Sequence, residues 1–553
     1  MQRRVFVGPR TRCRRNFECV GIDRAQCYER TALRTRSART TTTESVAAHL
    51  SCDPPGASAR GGVRNAFVNG VAWAFFQTWF MLSNRTFFVA IALTAAMTRP
   101  ASAQASGGTP PAMDHSTMSQ KATVSDPLGV PMDRAGSGTA WIPDAVQLPT
   151  HSFMARGWHL MLHGFAFAQY DYQSSDRGDK QFGSLNWGMF MASRTVKGGR
   201  LQLRSMLSLD AATVGPRGYP LLAQSGELYN GQPVVDRQHP HDFLMELAVE
   251  YERPITKALG VTLYAAPSGE PALGPVAFMH RPSSMDMPTA PLGHHWQDAT
   301  HVAFGVMTAG IFTRELKLEV SAFNGREPDQ YRWDIDKINI DSYSARISVN
   351  PNRNLALTAG YGYLKSPEAL HPNESLNRFV ASAMYGREFG TQGQWATTFV
   401  YGRNNHPDEQ VANSVFTGAT ARDVVTGYEV PRSHSFLLES EIVANNKNTY
   451  FGRAEFVRKT GDDLMLVIGP ATPPPGEAYV GVRALSLGYV REIASLRGAT
   501  LGIGGMGTYN ALPTGVYRWY GTSRPWGGIA FLRVRPKFNR GGAAMAGMDH
   551  SKM

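Results

Sequence analysis

The sequence predicts an all-β fold, an antiparallel outer-membrane β-barrel of about 14–16 strands. Between residues 158 and 537, apolar and polar residues alternate with a period of two in one segment after another. This period is typical of strands with one buried face. Short turns alternate with long polar loops along the same region. A meander with short connections at one end and long ones at the other is typical of barrels that cross an outer membrane.

Two segments illustrate the alternation. "RLQLRSMLSLD" places Leu201, Leu203, Leu207 and Leu209 on one face and Gln202, Arg204, Ser208 and Asp210 on the other. "DFLMELAVEYE" places Phe243, Met245, Leu247, Val249 and Tyr251 opposite Asp242, Glu246, Glu250 and Glu252. About sixteen such segments begin near residues 158, 183, 200, 240, 259, 299, 314, 340, 353, 375, 394, 433, 448, 477, 497 and 524. We therefore predict strands throughout this region.

The connections predict which way the barrel faces. Short turns at 197–199, 313–314, 350–352 and 445–447 alternate with long loops at 213–239, 268–298, 326–339, 404–432 and 460–476. In bacterial barrels the turns are periplasmic and the loops external, and an even strand number returns both chain ends to the periplasm. By analogy with general porins, we expect 268–298 to be the third and longest outer loop and to fold into the lumen.

Aromatic residues near the segment ends fit the two interfacial girdles of such a barrel. They are Trp158, Tyr170, Tyr172, Tyr361, Tyr363, Tyr401, Tyr450, Trp519 and Trp526. A soluble β-sandwich or propeller remains the alternative, because alternating strands alone do not exclude it. The charged inner faces, which suit a water-filled lumen, and the lack of a blade-length repeat favour the barrel.

The two ends of the chain have a different composition from the barrel region. Residues 1–80 read as a mis-assigned upstream extension or an untypical leader, and 81–103 as a signal peptide with an apolar run from Phe87 to Met97 and an Ala101-Ser102-Ala103 cleavage site. An uncleaved anchor is the alternative, but the apolar run is about half the roughly 20 residues that a spanning helix needs. We predict a flexible periplasmic tail at 104–150, the barrel at 151–538 and a second tail at 539–553.

Charge and cysteine content exclude two classes of protein. The formal net charge is +12, but residues 1–64 contain 13 Arg and 5 acidic residues, and residues 105–553 carry only +2. A nucleic-acid partner is therefore rejected.

All four cysteines lie at positions 13, 19, 27 and 52, ahead of the predicted mature chain. The exported protein thus has neither disulfides nor thiolate metal ligands.

Nearly the same hexapeptide occurs in both tails. "MDHSTM" supplies Met113, His115 and Met118, and "MDHSKM" supplies Met548, His550 and Met553. Thioether is a soft, uncharged donor, and a site that offers only thioether and imidazole favours Cu(I) over Zn or Ca. If both tails lie in the periplasm, they could share one soft cation. The alternative is that these residues simply populate two disordered ends.

These hexapeptides resemble the Met-Asp-His-Ser-x-Met repeats of outer-membrane copper-resistance proteins of the copper-resistance protein B type. The resemblance covers the two tail motifs and the overall architecture. It implies a β-barrel with Met/His-bearing tails, a role in copper tolerance, and periplasmic copper-handling proteins as partners.

A second group of possible metal ligands or pore-lining residues lies in the loops. "DRQHPHDF" supplies Asp236, His239, His241 and Asp242, and the third loop supplies Met279, His280, Met285, Asp286, Met287, His294, His295 and His301. His-Pro-His places both rings on one side of an extended chain, where adjacent carboxylates could complete a Cu(II) or Zn site. Alternatively, these side chains only fix the loop conformation through hydrogen bonds.

The sequence contains no nucleophile elbow, His-Glu-x-x-His or phosphate-binding loop, so we predict that the protein is not an enzyme. The leading hypothesis is an outer-membrane barrel of a Gram-negative bacterium that contacts membrane lipid and binds copper for tolerance or passage. A porin without a metal role and a secreted metal-dependent enzyme are the alternatives.

Overall fold

The computed structural model describes residues 124, 126–225, 227–370, 372–390, 392–406, 411–415, 424–429, 432–461, 463–466 and 479–538. Sixteen of the described strands form one antiparallel barrel. They are β1 Trp158–Gln173, β2 Lys180–Val196, β3 Gly199–Leu207, β4 Leu244–Pro254, β5 Gly260–Gly269, β6 Ala303–Phe312, β7 Leu316–Phe323, β8 Ser342–Asn352, β9 Leu355–Lys365, β10 Ser375–Phe389, β11 Gly393–Asn405, β12 Arg432–Ala444, β13 Asn448–Thr460, β14 Tyr479–Ser495, β15 Ala499–Ala511 and β16 Trp526–Pro536.

The other described elements are short. The strands outside the barrel sequence are Thr150–Ala155, Tyr219–Pro220, Glu227–Tyr229, Gln232–Val234, Arg237–Gln238, Val411–Val415 and Val424–Glu429. The helical turns are Pro127–Gly129, Met132–Arg134, Asp210–Thr213, Phe278–His280, His294–Gln297, Ala299–His301, Thr514–Val516 and Tyr517–Tyr520. No helix in the described part of the chain is both long and apolar enough to cross a bilayer.

The barrel closes between its first and last strands. β1 pairs with β16 from Ala166↔Val534 to Gln173↔Gly527, and the earlier half of β1 pairs with Thr150–Ala155. Every other strand pairs with its neighbours in sequence. The predicted all-β barrel is confirmed, at the upper end of the predicted strand range. The sandwich and propeller alternatives are wrong.

The strand alternation separates a lipid-facing exterior from a charged interior. In β7, Lys317, Glu319 and Ser321 are buried, whereas Leu318 and Val320 are 42% and 59% exposed. Other large exposed apolar side chains occupy the outer face in the same way. An apolar exterior on a closed barrel requires lipid around it, so the chain lies in the outer membrane and the soluble secreted enzyme is excluded.

Aromatic pairs occur near both rims, as the girdles predict. Near the long loops, the rings of Tyr172 and Trp526 are 5.2 Å apart between centroids. Near the short turns, Tyr450 and Tyr489 are 5.0 Å apart. These positions mark the two interfaces between membrane and water.

Short turns form one end of the barrel, the turn rim, and long connections form the other, the loop rim. The described chain enters at the turn rim, where Asp126 lies 3.2 Å from Arg200 at the start of β3. It leaves at the same rim, where the Lys537 amide donates to the Gly498 carbonyl. Both ends of the described barrel therefore face one compartment, the periplasm in the usual orientation.

The loops differ from the prediction in one respect. Loop 2, residues 208–243, is longer than loop 3, residues 270–302. Loop 3 is the third outer connection, as predicted, but not the longest. The prediction failed because β3 ends at Leu207 and β4 begins at Leu244, whereas the sequence placed this loop at 213–239.

Residues 126–149, predicted to be part of a flexible tail, instead form a plug inside the turn-rim half of the barrel. Trp141 is 4% exposed and lies between the guanidinium of Arg134, 4.9 Å from its ring centroid, and the ammonium of Lys317, 4.8 Å away. Arg134 also forms a two-pronged ion pair with Asp144. The tail prediction was wrong here because Val130, Trp141 and Ile142 supply an apolar core without periodicity.

The plug supplies hydrogen-bond acceptors to buried cations of the barrel wall. Arg204 donates to the Gly138 carbonyl at 2.6 Å, Arg346 donates to the Thr139 hydroxyl at 2.6 Å, and Lys317 donates to the Thr139 carbonyl. A buried cation without such partners is costly. The lumen at this level is thus packed, not water-filled as the charged strand faces suggested.

Deleting residues 126–149 is expected to raise single-channel conductance several-fold in planar bilayers, because water would enter the space that Trp141 and its neighbours fill. Deleting 105–123 instead is the matched control and should leave conductance unchanged. Equal conductance of the plug deletion and the full chain would contradict the plug.

Candidate functional site

Loop 3 crosses the lumen and is held by buried ion pairs. Arg281, fully buried, lies 2.6 Å from Glu439 on β12 and 2.7 Å from Asp298 in its own loop. Glu439 also accepts from Arg453 of β13 at 3.1 Å. Such an arrangement is stable because each buried charge has a partner.

A second ion-pair group fastens the middle of the loop. Asp286 contacts Arg533 on β16 directly and lies 3.8 Å from Arg535. The Asp286 amide donates to Glu441 of β12 at 3.1 Å. Asp286 was predicted as a possible ligand, but the structure uses it as an anchor.

The end of loop 3 is fastened by hydrogen bonds. The Leu292 amide donates to Glu455 at 2.7 Å, the Trp296 indole to Ser433 at 2.5 Å, and the Asn404 amide to the His295 carbonyl at 3.0 Å. The strands concerned, β11 to β13, lie across the lumen from the strands that carry the loop. Loop 3 thus spans the lumen from β5 and β6 to β11–β13, as predicted.

Beside loop 3 lies a cluster of methionines, most of which the sequence analysis did not select. It contains Met161 of β1, Met189 and Met191 of β2, Met206 of β3, Met245 of β4 and Met279 of loop 3, all at most 7% exposed, with Met132 and Trp187 packed against it. The strand alternation could have predicted part of this cluster, since "MFM" at 189–191 puts two methionines on one face. Four adjacent strands, β1 to β4, therefore present a wall of thioethers to the lumen.

Met245 was predicted on the outer face with Leu247 and Val249, and this was wrong. The structure buries Met245 and Glu246 together, whereas Leu247 and Val249 are exposed. The register between β3 and β4 shifts at Met206 and Leu207. A bulge of this kind turns one side chain to the opposite face, which strand periodicity alone cannot reveal.

A small cavity brings the methionines together with two histidines, and we call it the methionine–histidine cavity. Its lining includes Met206, Met245, Met279, His280 and His301, with Glu246, Glu270, Ser137, Gly138 and Ala277 completing the wall. In the part of the chain that the structure describes, Nδ1 of His280 and Nε2 of His301 are buried without a hydrogen-bond partner. Buried polar atoms are normally satisfied, so these two nitrogens are free to bind a ligand in the cavity.

Further histidines extend from this cavity. The ring of His280 lies 5.4 Å from His163 and 4.6 Å from Trp187. The ring of His301 lies 5.1 Å from His294 and 5.4 Å from His241. The predicted loop histidines 241, 280, 294 and 301 are therefore brought together inside the barrel, and His163 of β1 joins them.

Carboxylates orient several of these rings. Nδ1 of His241 lies 2.8 Å from Asp210, and Nδ1 of His294 lies 2.8 Å from Asp298. Nδ1 of His301 lies 2.8 Å from the Asp298 carbonyl. A hydrogen bond at Nδ1 fixes the tautomer and directs Nε2 elsewhere.

Burial decides the charge of the cavity groups. Burial, reinforced by the neighbouring imidazoles, lowers the pKa of His301 to about 3 and holds the pKa of His280 well below its ordinary value. Burial raises the pKa of Glu270 to about 8, against the attraction of Arg346. At neutral pH the two rings and this carboxyl are uncharged. Glu246 is engaged by the Tyr264 hydroxyl at 2.8 Å and by Arg204 at 3.3 Å.

The other predicted residues lie elsewhere. Met285 and Met287 are buried in a separate apolar cluster with Leu292 and Trp296. Asp242 lies 3.5 Å from Arg332. Asp236 lies 2.7 Å from Arg177 and accepts from the Tyr520 hydroxyl at 2.9 Å. His239 and His295 approach each other under the outer loops, with ring centroids 6.3 Å apart.

The six hexapeptide residues lie outside the described part of the chain. They are Met113, His115, Met118, Met548, His550 and Met553. Their metal binding stays a prediction. A large depression elsewhere, lined by Leu263, Ile311 and Val320 among others, is apolar and lies on the lipid-facing wall, so it is not a candidate for metal chemistry.

No family model matches the sequence, and no curated protein matches it either. Among solved structures, the chain is similar to OmpF of Salmonella typhi in complex with daunomycin, with a TM-score of 0.40, 11% identity, and coverage of 69% of this chain and 100% of that one. The chain is also similar to the outer membrane channel DcaP of Acinetobacter baumannii, with a TM-score of 0.38, 10% identity, and coverage of 69% of this chain and 99% of that one. For Pseudomonas putida OprB the TM-score is 0.38 and the identity 11%, with coverage of 69% of this chain and 94% of that one. The barrel itself is established by the strand register of this chain.

Replacing Arg281 with Met is expected to lower the free energy of unfolding by roughly 3–5 kcal/mol, the usual cost of breaking a buried ion pair, and to raise conductance as loop 3 loosens. Denaturant unfolding in detergent and planar-bilayer recording measure the two effects. Arg353→Met is the control, because Arg353 and its partner Glu388 are 65% and 44% exposed and such pairs contribute about 1 kcal/mol or less. Unchanged stability and conductance of Arg281→Met would show that this ion pair does not hold the loop.

Proposed function

We propose that this chain is an outer-membrane channel protein that binds Cu(I) inside its lumen and serves copper tolerance or copper passage. The observation that carries the proposal is the methionine–histidine cavity, where three thioethers and two imidazoles line one small space. Two of the imidazole nitrogens there have no hydrogen-bond partner among the described residues.

The donor set favours a soft monovalent cation. Thioether sulfur binds Cu(I) well and binds Zn²⁺, Mg²⁺ or Ca²⁺ poorly, and neutral imidazole is compatible with copper. The hard oxygen donors nearby are already engaged, since Glu246 contacts Arg204 and Tyr264. Ag(I), which is also soft, is therefore a suitable stable probe of the same site.

The position of the chain ends supports a role for the tails. The plug begins eight residues after Met118, and its first described contacts are at the turn rim, where Asp126 meets Arg200. Phe538, ten residues before Met548, lies 4.5 Å below the guanidinium of Arg535 near the same rim. We propose that the two hexapeptides collect Cu(I) at this rim and exchange it with the lumen cavity.

A passive solute channel is the second candidate function. The sixteen-strand barrel with an inward third loop favours it. The filling of the lumen by loop 3 and the plug weighs against free passage of ordinary solutes. Any transport would need these segments to move or a partner protein to drive it.

The combined variant Met206→Leu, Met245→Leu and Met279→Leu is expected to weaken Ag(I) binding by about 100-fold or more, because it removes three ligands and the loss of an outer-shell partner alone costs about 10–100-fold. The substitution conserves volume and should cost little stability. Isothermal titration of the purified full chain in detergent measures it, in a background with both hexapeptides deleted so that only lumen sites are counted.

Met307→Leu is the matched control, because Met307 on β6 is 51% exposed on the lipid face. Deletion of the hexapeptides alone should remove separate, weaker Ag(I) sites and increase copper sensitivity of the cells. If the triple variant binds Ag(I) like the control, the lumen cavity is not the site. If tail deletion leaves copper tolerance unchanged, the solute channel is favoured.

A further inference from the structure

A second group of donors lies under the outer loops, and we call it the three-loop cluster. His239 comes from loop 2, His295 from loop 3 and Glu327 from loop 4, residues 324–341. One nitrogen of each imidazole and one oxygen of Glu327 lie within 4.8 Å of one another. Three segments far apart in sequence therefore place three metal-binding side chains at one point.

Two of the three side chains, His295 and Glu327, are buried and have incompletely bonded donor atoms. His295 is 2% exposed and Glu327 is 7% exposed. Within the described residues, both nitrogens of His295 and Oε1 of Glu327 have no hydrogen-bond partner of acceptable geometry. Nδ1 of His295 lies 3.3 Å from Glu327 and 3.8 Å from Glu368 in the next loop. Unsatisfied buried atoms in a native fold call for an explanation.

His239 has the second hydrogen bond that metal-binding histidines usually make. Its Nδ1 lies 3.2 Å from the carbonyl oxygen of Pro240. In metal sites, a bond from one ring nitrogen to a carbonyl orients the ring so that the other nitrogen can ligate. His239 and Pro240 belong to the His-Pro-His stretch at 239–241.

We propose that His239, His295 and Glu327 bind one divalent cation of borderline softness, Zn²⁺ or Cu²⁺, with Glu368 as a neighbouring fourth donor. Two imidazoles and a carboxylate are a common protein ligand set for such ions. The site needs no thioether, so it does not depend on Cu(I) binding in the methionine–histidine cavity.

Metal binding here would tie the outer loops together. Donors around a tetrahedral ion at about 2.0–2.2 Å are about 3.4 Å apart. Nδ1 of His295 is already 3.3 Å from Glu327, and the donor atoms of the three residues lie within 4.8 Å of one another, so binding needs only a small contraction. Loops 2, 3 and 4 would then approach one another at the loop rim. Because loop 3 also crosses the lumen, a bound ion would hold the channel closed from outside.

The competing interpretation is an ion pair between a protonated His295 and Glu327 without metal. Carboxylates can hold a buried imidazolium in this way, and burial of both partners is compatible with it. The two interpretations differ in a measurable way, because only the first predicts a stoichiometric divalent ion that involves His239.

The test is to treat the full chain in detergent with a chelator and then titrate it with Zn²⁺. Calorimetry measures the binding, and a thermal melt measures the shift in melting temperature. We expect one equivalent to bind and to raise the melting temperature. Glu327→Gln and His239→Asn, which lie in different loops, should each weaken binding about a hundredfold or more. Titration with Cu²⁺ should give an electron paramagnetic resonance spectrum with hyperfine coupling to two nitrogens.

Glu388→Gln makes the same change at an exposed carboxylate of the turn rim and should bind Zn²⁺ like the parent. Met206→Leu should also bind normally, which separates this site from the proposed Cu(I) cavity. Absence of one tight equivalent of either ion in the parent, or equal affinity in Glu327→Gln and His239→Asn, would overturn the proposal and leave the ion pair.

Discussion

The structure depends on one constraint: charged side chains on the inner faces of the strands are buried and must be paired. Arg453 and Arg533 on the strands are almost fully inaccessible, as is Arg281 of loop 3, and the carboxylates of Glu439 and Asp286 that face them are buried as well. An unpaired charge in such a position costs several kcal/mol. Loop 3 supplies charged partners to β12 and β16, and the plug at 126–149 supplies hydrogen-bond acceptors to cations of β3, β7 and β8. Both segments are therefore parts of the fold and not additions to a water-filled pore.

The lumen near β1 to β4 also contains the methionine side chains that could bind a soft metal ion. Beside these ion pairs, β1 to β4 present methionines to the interior. Thioethers pack well in an apolar space and still retain a sulfur lone pair. The histidines of loops 2 and 3 then lie beside this wall, so one region of the lumen combines dry packing with metal-binding chemistry.

The sequence predicted the architecture well and the interior poorly. Period-two alternation located all sixteen strands to within a few residues, because each strand has one face toward lipid. It could not show that the bulge near Met206 turns Met245 inward, nor that the residues around Trp141 fold back into the lumen, since neither leaves a periodic pattern. The joining of His239, His295 and Glu327 depends on loops that meet only in three dimensions. The hexapeptides at both ends, the most conspicuous signal in the sequence, lie outside the described residues.

Hydrogen–deuterium exchange of the full chain in detergent tests the occluded lumen most directly. If loop 3 is fastened to the opposite wall and the plug fills the turn-rim half, amides of 277–299 and 134–146 should exchange as slowly as those of the barrel strands, and far more slowly than amides of the exposed part of loop 4 near Trp333. Exchange of loop 3 and the plug at the rate of that exposed segment would contradict a closed lumen.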